Sequence, residues 1–505
     1  MTELRRFEPN IKSLGEIAAF LGADVKDAFE NLEIHGICSN SQTIEEGDLF
    51  LALPGTKTHG GAFLPSAVER GARAVLTDIA GSELSSVRDS AIPVLVVPNP
   101  RSQSGYLADW FHNSPSQNMY LAGVTGTNGK TTTTYLLNQI WEQADFESGL
   151  MGTIGISIGE DSFSATHTTP EADVVHTVLS VMNERHVRAA AMEVSSHALV
   201  QHRIDGVRFA AAGFTNLSQD HLDFHGTMEN YFQAKKSLFE SNIAERAFIN
   251  IDNEYGVRLA KEISIPVSTL SLTTKKATWH VDSMTKSHQG WDLRIRGEGG
   301  VLIEGQFNLP GEHNLENLLL AIAIAADSGV DPLVIGNALT KLKGAPGRLE
   351  RIERGQKFTA LVDYAHTPDA VERVLASLRG FSSEESKTRI IGILGCGGNR
   401  DAGKRPLMGK ALRNACDVAI FTSDNPREED PTEILRSMTT GIELNDTALV
   451  IVDRREAIAT AITTANDGDI VVVLGKGHES GQEINGVKIP FDDRDELASA
   501  IEALT

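Results

Sequence analysis

The stretch that most constrains the fold of this chain is GVTGTNGKTTT, at residues 123–133. An apolar run (119–124) precedes it, and a run of helical character (135–141) follows it. A strand, a glycine-rich turn and a helix in this order direct free backbone N–H groups and a helix dipole at an anion. We therefore expect a nucleotide phosphate here, with a lysine to neutralise it and a threonine hydroxyl to ligate magnesium. The residues expected at the phosphates are Gly126, Thr127, Asn128, Gly129, Lys130, Thr131 and Thr132.

The stretch departs from the strict phosphate-loop pattern G-x-x-x-x-G-K-[ST]. That pattern requires glycine at position 124, where this chain has Val124; its glycines are Gly123, Gly126 and Gly129. The alternative is an ordinary glycine-rich turn. A strand, the sequence G-K-T and a helix together favour the phosphate-binding interpretation.

Size and composition bound the class of protein. A chain of 505 residues is too long for one core and suggests about three domains. The formal net charge of −22 argues against a surface that wraps nucleic acid. The three cysteines lie too far apart for a zinc pattern or a disulfide framework, so a reducing cytoplasm is expected. Neither a signal sequence nor an apolar run of about 18 residues occurs, so we expect no membrane span.

Local patterns predict three α/β segments, at residues 1–115, 116–345 and 346–505. In the first, DLFLALPG (48–55) and IPVLVVPNP (92–100) are typical of buried strands, with a helix predicted over AVERGARAVLTD between them. A polar stretch, HNSPSQN, is typical of the linker that follows. The first segment is therefore expected to be a small domain of its own.

The second and third segments alternate strand and helix patterns. Strands are predicted in RAAAMEV (188–194) and RFAAAGFTN (208–216), and a helix over 311–329. The strand-rich region 267–310 is either an antiparallel edge or an insertion. The third segment repeats the alternation in FTALVDYA, TRIIGILG, VAIFTSD and DIVVVLG, which predicts a smaller doubly wound domain. The expected fold is therefore a three-domain α/β architecture, with a central sheet like that of P-loop ATPases and a Rossmann-like C-terminal domain.

Several stretches resemble one enzyme family. GTNGKTT resembles the ATP loop of the Mur ligases and folylpolyglutamate synthetases. Further stretches are similar to the branch of the Mur ligase family that adds the third residue of the peptidoglycan stem peptide. These stretches are MEVSSHALVQHR (192–203), FTNLSQDHLDFHGTMENYFQAKKSLF (214–239), GEHNLENLLLA (311–321), DYAHTPDA (363–370), GCGGNRDAGKRPLMG (395–409), SDNPREEDP (423–431) and GKGHE (475–479).

The resemblance implies an ATP-dependent peptide synthase. In this family ATP converts a carboxylate to an acyl phosphate, which an amine then attacks. The implied substrates are UDP-N-acetylmuramoyl-L-alanyl-D-glutamate and meso-2,6-diaminopimelate, in cytoplasmic synthesis of a peptidoglycan precursor, with a monomer expected. The lysine-adding ligases of the family and folylpolyglutamate synthetase-like ligases are the alternatives, although the latter would not explain DNPR followed by GKGHE.

Metal ions are needed because a carboxylate and a γ-phosphate must approach each other in a partly dry site. Hard oxygen ligands suit magnesium. Glu193 ends a predicted strand, where an α/β sheet usually places its ligand groups. The resemblance makes Glu193 and His221 metal ligands together with Thr131. Taken alone, Glu193 fits an exposed strand-end residue equally well, and the residue type of His221 favours a hydrogen-bonded loop histidine.

Lys235 is expected on the inward face of a helix. In NYFQAKKSLFE, Tyr231, Leu238 and Phe239 stand at positions −4, +3 and +4 from it. Burial favours the neutral amine, which can react with carbon dioxide to give an anionic carbamate. The resemblance implies a carboxylated lysine at this position, as a further metal ligand. The alternative is a packed stem with its ammonium in water.

Further nucleotide contacts are implied at Asn314, Arg348 and Asp363. The last two lie in the third segment, so this domain would have to close over the bound nucleotide. The UDP end of the acceptor is expected at Ser39, Ser41, Thr56, Lys57 and Thr58, although CSNSQ departs from the DSR-type sequence of relatives. The sugar-peptide end is expected at Thr168, Thr169, Ser195, Gln201 and Arg203, of which the arginine can pair with a carboxylate in a bidentate manner.

The amino-acid pocket is expected around DNPR and GKGHE. Asp424, Asn425 and Glu479 can orient ammonium groups, and Arg427 offers a planar fork to a carboxylate. A diamino dicarboxylate can use all of these groups, whereas lysine would leave a fork unpaired. The alternative is that Arg427 forms an exposed ion pair with the following EED run. The complete expected set is Arg400, Asp424, Asn425, Pro426, Arg427, Gly475 and Glu479.

Two other classes are weighed. A dehydrogenase would rest on GILGCGGNRD, but its third fingerprint glycine would fall at Arg400. A nucleotide-gated binding protein would not need the combination of Lys130, Glu193, His221 and Lys235, the four residues expected to be catalytic. Release of phosphate that depends on both acceptor and amine separates a ligase from such a binder.

Overall fold

The computed structural model describes residues 10–55, 57–165, 167–287, 290–381 and 388–504. Sheets of four, eleven and six strands follow one another along the chain. Each sheet has helices and its own buried apolar clusters. This arrangement confirms the predicted three-domain α/β architecture, whereas the domain boundaries at 115/116 and 345/346 stay predictions. Within the described ranges, no helix is both long and apolar enough to cross a membrane.

The first sheet is parallel, and its four strands lie in chain order. The strands predicted in 48–55 and 92–100 are confirmed. The helix predicted over 67–78 is wrong in its second half: it ends at Glu69, Gly71 turns with φ 110°, and a buried strand follows. The four strands are Gly36–Cys38, Asp48–Leu51, Ala74–Thr77 and Val94–Val96; a short pair joins Lys12–Ser13 to Glu33–Ile34; the helices are Leu14–Leu21, Leu64–Glu69, Ile79–Ser82, Ser85–Arg88 and Pro100–Phe111, with 3₁₀ turns at Asp27–Phe29, Gly60–Phe63 and Pro115–Asn118.

The central sheet has a parallel middle and antiparallel edges. Tyr120–Thr125 lies between Ala189–Glu193 and Phe209–Phe214, which places three strand ends beside the glycine-rich loop. In the region 267–310, Val267–Ser271 pairs in parallel with both neighbours, and the three strands from Trp279 to Phe307 form the antiparallel edge that was one of the two predictions. In spatial order the strands are Asp161–Phe163, Gly155–Ile158, Ser148–Gly152, Ala189–Glu193, Tyr120–Thr125, Phe209–Phe214, Ala244–Asn250, Val267–Ser271, Trp279–Ser287, Gly290–Arg296 and Leu302–Phe307.

Helices cover both faces of the central sheet, so its middle strands are buried on both sides. Lys130–Gln143 and Glu312–Asp327 contribute to one apolar cluster, and Ala172–Glu184 contributes to another. The predicted helices over 135–141 and 311–329 are confirmed. The helices of this part are Lys130–Gln143, Ala172–Glu184, Ser196–Val200, Leu222–His225, Met228–Lys236, Glu254–Glu262, Glu312–Asp327 and Pro332–Ala338, with 3₁₀ turns at Ser237–Phe239, Glu298–Gly300 and Leu339–Lys341.

The third sheet has five parallel strands and one short antiparallel edge strand. All four strands predicted here are confirmed. In spatial order the strands are Glu350–Arg351, Thr359–Asp363, Ile470–Leu474, Ile390–Leu394, Val418–Phe421 and Ala448–Val450; a hairpin pairs Gly481–Ile484 with Val487–Pro490; the helices are Pro368–Phe381, Arg405–Ala415, Pro431–Met438, Arg454–Thr464 and Asp493–Glu502, with a 3₁₀ turn at Ala402–Lys404.

Candidate active site

The glycine-rich loop connects the central strand Tyr120–Thr125 to the helix that begins at Lys130. Gly126 and Gly129 have φ of 151° and 90°. A Cβ at Gly126 would lie 1.8 Å from Thr215 Oγ1, and one at Gly129 would lie 2.2 Å from Asn317 Oδ1. Both positions therefore require glycine, and the loop forms the strand–turn–helix geometry of a phosphate site.

Hydrogen bonds from the next strand end hold the loop in place. Thr215 Oγ1 donates to Asn128 O at 2.6 Å, and Asn128 N donates to Asn216 Oδ1 at 3.0 Å. Lys130 Nζ donates to Gly126 O at 2.9 Å and to Thr127 O at 3.0 Å, so the lysine folds back over the loop. Its ammonium thus lies where it can neutralise a phosphate that the loop cradles.

Glu193 and Thr131 meet at the edge of the loop. Thr131 Oγ1 donates to Glu193 Oε2 at 2.9 Å, and Thr153 donates to the same carboxylate through N (2.7 Å) and Oγ1 (3.1 Å). Glu193 is buried, with 1% of its surface exposed. It is therefore a fixed carboxylate rather than the exposed strand-end residue of the alternative interpretation.

Thr131 and Glu193 fit a magnesium ion that arrives with nucleotide phosphates. Such an ion uses one or two protein oxygen ligands and keeps the phosphates and water as the others. Within the residues that the structure describes, no three His, Cys, Asp or Glu side chains form a metal-binding group. The donor set thus suits a magnesium–nucleotide complex, and the roles of His221 and Lys235 as ligands stay predictions.

His221 lies in a short loop between Phe209–Phe214 and the helix Leu222–His225, with φ 53°. Its Nε2 lies 3.3 Å from Asp220 Oδ2, and its ring contacts that of His197 edge-on at 4.7 Å between centroids. Burial lowers the pKa of His221 to about 3, so its ring is neutral at physiological pH and can act as a ligand or hydrogen-bond partner.

Lys235 is buried beneath the loop, with 1% of its surface exposed. Its Nζ donates to Gly126 O at 2.7 Å and lies 4.6 Å from the centroid of the Tyr231 ring. The alternative of an ammonium that reaches water is therefore wrong. Burial, and then the charge of Lys130, lower the pKa of Lys235 well below its usual value, which favours the neutral amine relative to an exposed lysine.

The third domain lies against the phosphate loop. Arg348 Nη2 donates to Thr131 Oγ1 at 3.2 Å, and Asn128 Nδ2 donates to Asp369 Oδ2 at 3.1 Å. Lys404 Nζ lies 3.8 Å from Asp220 Oδ1. These contacts place the third domain beside the phosphate loop, while closure over a bound nucleotide and its contact with Arg348 stay predictions.

Two other expected nucleotide residues are engaged with nearby backbone. Asn314 Nδ2 donates to Pro310 O at 2.7 Å. Asp363 is buried, and its carboxylate accepts hydrogen bonds at 2.7 Å from Leu349 N and from Ala365 N. Asp363 therefore holds the chain that carries Arg348. Direct contact of Asn314 and Asp363 with a nucleotide stays a prediction.

The first domain meets the central domain at the segment that carries the expected sugar-peptide residues. Ser39 N and Oγ donate to the Asp173 carboxylate at 2.6 and 2.9 Å, so this serine is occupied by an interdomain contact. Ser41 is buried, Lys57 and Thr58 are exposed, and Thr56 lies outside the described residues. The structure thus brings the first domain to the central site, while the UDP contacts stay predictions.

Arg203 and its neighbours form one hydrogen-bonded group. Thr169 Oγ1 donates to Glu193 O (2.8 Å), and Ser195 N donates to Thr169 Oγ1 (3.0 Å). Arg203 donates to Thr169 O at 2.9 Å and pairs with Glu171 at 2.9 Å, and its Nε is buried without a partner within the described residues. This group links the expected acceptor residues to the strand that ends at Glu193. Thr168 joins it through Thr153 at 3.1 Å, whereas Gln201 ends the helix Ser196–Val200.

The expected amino-acid pocket forms where two strands of the third sheet end. Arg427, with φ 52°, donates to Gly398 O at 2.7 Å, and its Nε lies 3.3 Å from the Glu483 carboxylate. It therefore does not pair with the EED run as the alternative required. Asn425 Nδ2 donates to Glu479 Oε2 at 2.8 Å, which joins the two motifs in space. Pro426 and Gly475 lie in the same two loops, and Arg400 is exposed beyond them.

Sequence patterns missed three residues that build the site. Thr153 holds Glu193, and Lys476, inside GKGHE, lies buried within reach of Asp424 and Glu479. Arg454 is buried with Asp493 and donates to Ser423 O and Leu474 O, so it ties the two pocket loops together. The one available signal was the lysine inside GKGHE, because a charged residue between two glycines at a strand end is unusual for a solvated turn.

A phosphate loop, a buried carboxylate–hydroxyl pair and a second α/β domain that closes on them define a nucleotide-dependent enzyme of the α/β class. Three family models match: the Mur ligase family catalytic domain over 33–101, the Mur ligase middle domain over 124–325, and the Mur ligase glutamate ligase domain over 347–477. The chain belongs to the Mur ligase family. It is therefore an ATP-dependent acid–amino-acid ligase, which confirms the expected reaction class.

Curated relatives and a solved structure span almost the whole chain. A UDP-N-acetylmuramoyl-L-alanyl-D-glutamate--2,6-diaminopimelate ligase of Streptomyces coelicolor is 43% identical over 495 residues, which is 97% of this chain and 96% of the relative. A ligase of the same name from Aquifex aeolicus is 43% identical over 91% of this chain and 92% of the relative. A solved structure of a UDP-N-acetylmuramoyl-L-alanyl-D-glutamate--2,6-diaminopimelate ligase is 34% identical and superposes with a TM-score of 0.65. The match covers 98% of this chain and 99% of the solved chain.

Proposed function

We propose that this chain joins meso-2,6-diaminopimelate to UDP-N-acetylmuramoyl-L-alanyl-D-glutamate at the expense of ATP. The observation that carries the proposal is the pocket of the third domain, where the loop with Arg427 and Asp424 is joined to the loop with Glu479 through Asn425. That combination suits an amino acid with an ammonium and a carboxylate at its far end. The names of the relatives at 43% identity support the same substrates. The reaction is proposed to take place in the cytoplasm, with the chain as a monomer.

The chemistry follows from the groups that line the loop. An oxygen of the acceptor carboxylate attacks the γ-phosphorus of ATP, and the bond to ADP breaks. The amine of the second substrate then attacks the acyl carbon, inorganic phosphate leaves with that carboxylate oxygen, and the amine loses a proton. Lys130 neutralises the charge that develops on the phosphoryl oxygens. When bound, magnesium held by Thr131 and Glu193 would reduce the repulsion between carboxylate and phosphate.

A phosphate-release assay tests this proposal. The purified chain is given ATP, magnesium and combinations of UDP-muramoyl peptides and amino acids. We expect phosphate only when both the dipeptide acceptor and an amine are present, with meso-diaminopimelate as the best amine. Phosphate release without an acceptor would indicate a plain ATPase, and a preference for L-lysine would assign the chain to the lysine-adding branch.

Arg427 is predicted to set the choice of amino acid. We expect the wild-type enzyme to use meso-diaminopimelate at least about tenfold better than L-lysine, because lysine forgoes one charge-assisted contact. Arg427→Ala should remove most of that preference by raising the KM for diaminopimelate while the KM for ATP stays close to wild type. Steady-state kinetics with both amino acids measure the effect.

The matched control is Arg436→Ala, which removes an exposed arginine that pairs with Glu433 three residues away in the same domain. This variant should keep wild-type kinetics, since exposed pairs contribute little. Full selectivity for diaminopimelate in Arg427→Ala would refute this role for the arginine.

A further inference from the structure

A lysine lies among the groups expected to bind the amino acid. The side chain of Lys476 is 0% exposed, and its Nζ lies 3.1 Å from Asn425 Oδ1, 3.1 Å from Glu479 Oε2 and 3.5 Å from Asp424 Oδ1. These are the side chains proposed to orient an ammonium group of the substrate. The protein therefore supplies one cation of its own to the anionic side of the pocket.

Lys476 contacts only one oxygen of each carboxylate. Within the described residues, Asp424 Oδ2 and Glu479 Oε1 accept no hydrogen bond from side chain or backbone. The Asp424 and Glu479 side chains retain 11% and 35% exposure. Asp424 Oδ2 faces Gly475, at 3.5 Å from the position that a Cβ of this glycine would take. Each carboxylate is thus held on one side and open on the other.

The charge of Lys476 sets the net charge of this cluster to the value that one substrate ammonium can neutralise. Two carboxylates and one buried ammonium leave a single net negative charge. Without Lys476 the cluster would carry two, and a substrate carboxylate near Arg427 would meet stronger repulsion. Arg427 cannot offset that repulsion fully, because Glu483 already lies 3.3 Å from its Nε. The side chain of Lys476 is fully buried, so water screens its charge little.

We propose that Lys476 is a specificity-determining positioning residue, which lets the pocket accept an amino-acid end that carries both an ammonium and a carboxylate. This inference rests on the proposed function. It predicts that loss of the Lys476 charge raises the KM for diaminopimelate but not the KM for L-lysine. Loss of the lysine charge penalises the far carboxylate of diaminopimelate, whereas the far end of L-lysine carries only an ammonium and is not penalised.

The test compares Lys476→Met and Lys476→Gln with wild type, using full-length protein, ATP, magnesium and the dipeptide acceptor at saturation. We expect the KM for meso-diaminopimelate to rise about tenfold or more, while the KM for L-lysine stays unchanged or falls. The KM for ATP should not change. Lys357→Met is the matched control, since that lysine is 78% exposed in the same domain.

A double variant separates charge from packing. Lys476→Met combined with Glu479→Gln restores the single negative charge, so its KM for diaminopimelate should be no higher than that of Lys476→Met alone. Three results would overturn the assignment. The first is an equal rise in KM for both amino acids, and the second is a KM for diaminopimelate within about twofold of wild type. The third is unfolding of both Lys476→Met and Lys476→Gln. Failure of the proposed function is seen separately, because the wild-type enzyme would then not use diaminopimelate at all.

Discussion

Lys130→Ala is expected to abolish ATP-dependent turnover while the protein stays folded. Lys130 Nζ lies over the loop, 2.9 Å from Gly126 O and 3.0 Å from Thr127 O, where it can neutralise a phosphate that the loop holds. In the Lys130→Ala variant, the negative charge on the phosphoryl oxygens in the transition state would have no lysine ammonium beside it. The loss of one such contact costs about 3–4 kcal/mol, or roughly a few hundredfold in kcat.

The measurement is phosphate release at saturating substrates, with thermal unfolding to check the fold. Lys261→Ala is the matched control, since Lys261 is an exposed lysine on a helix of the same domain and should leave turnover unchanged. A correctly folded Lys130→Ala enzyme with near-normal turnover would remove the loop from the mechanism.

The second large effect is expected at Lys235. Lys235→Ala should lower turnover by about a hundredfold, because a buried group that orients the reaction centre is lost. In the wild-type enzyme we expect Lys235 to carry a carboxyl group. Its amine has a lowered pKa, so a neutral nucleophile for carbon dioxide is present at pH values where an exposed lysine is charged.

Intact-protein and peptide mass spectrometry in bicarbonate buffer measure the modification, and a small added carboxylate should partly restore turnover of Lys235→Ala. Lys236 supplies the matched control. It is more exposed and pairs with Glu262 at 2.7 Å, so it should stay unmodified, and Lys236→Ala should remain active. A bare Lys235 in a magnesium- and nucleotide-bound crystal structure would contradict the carbamate.

Local patterns were sufficient where the signal lies within a few residues. Apolar runs bounded by glycine or proline predict strands within the sheets of the central and third domains. The spacing of Tyr231, Leu238 and Phe239 about Lys235 predicts its burial, and all four are at most 1% exposed. The helix ends at Lys236 and a 3₁₀ turn follows, yet the inward direction of Leu238 and Phe239 is kept.

Long-range pairs had no such signal. Ser39 and Asp173 are 134 residues apart, and only the docking of the first domain brings them together. Arg348 and Thr131, which are hydrogen-bonded, are 217 residues apart in the sequence. Sequence patterns also favoured a helix through 67–78, because they weigh the alanines and arginines but not the sheet that recruits Ala74–Thr77 as its third strand. Tertiary context decided these features.

The central claim is that the acceptor carboxylate is activated by ATP and then captured by the amine. It is tested most directly with UDP-N-acetylmuramoyl-L-alanyl-D-glutamate that carries ¹⁸O in the reacting carboxylate. In the presence of ATP, magnesium and meso-diaminopimelate, we predict that the released phosphate contains one ¹⁸O atom, and that the amide product forms in equal amount. Unlabelled phosphate, or phosphate formed without the amide product, would contradict the account.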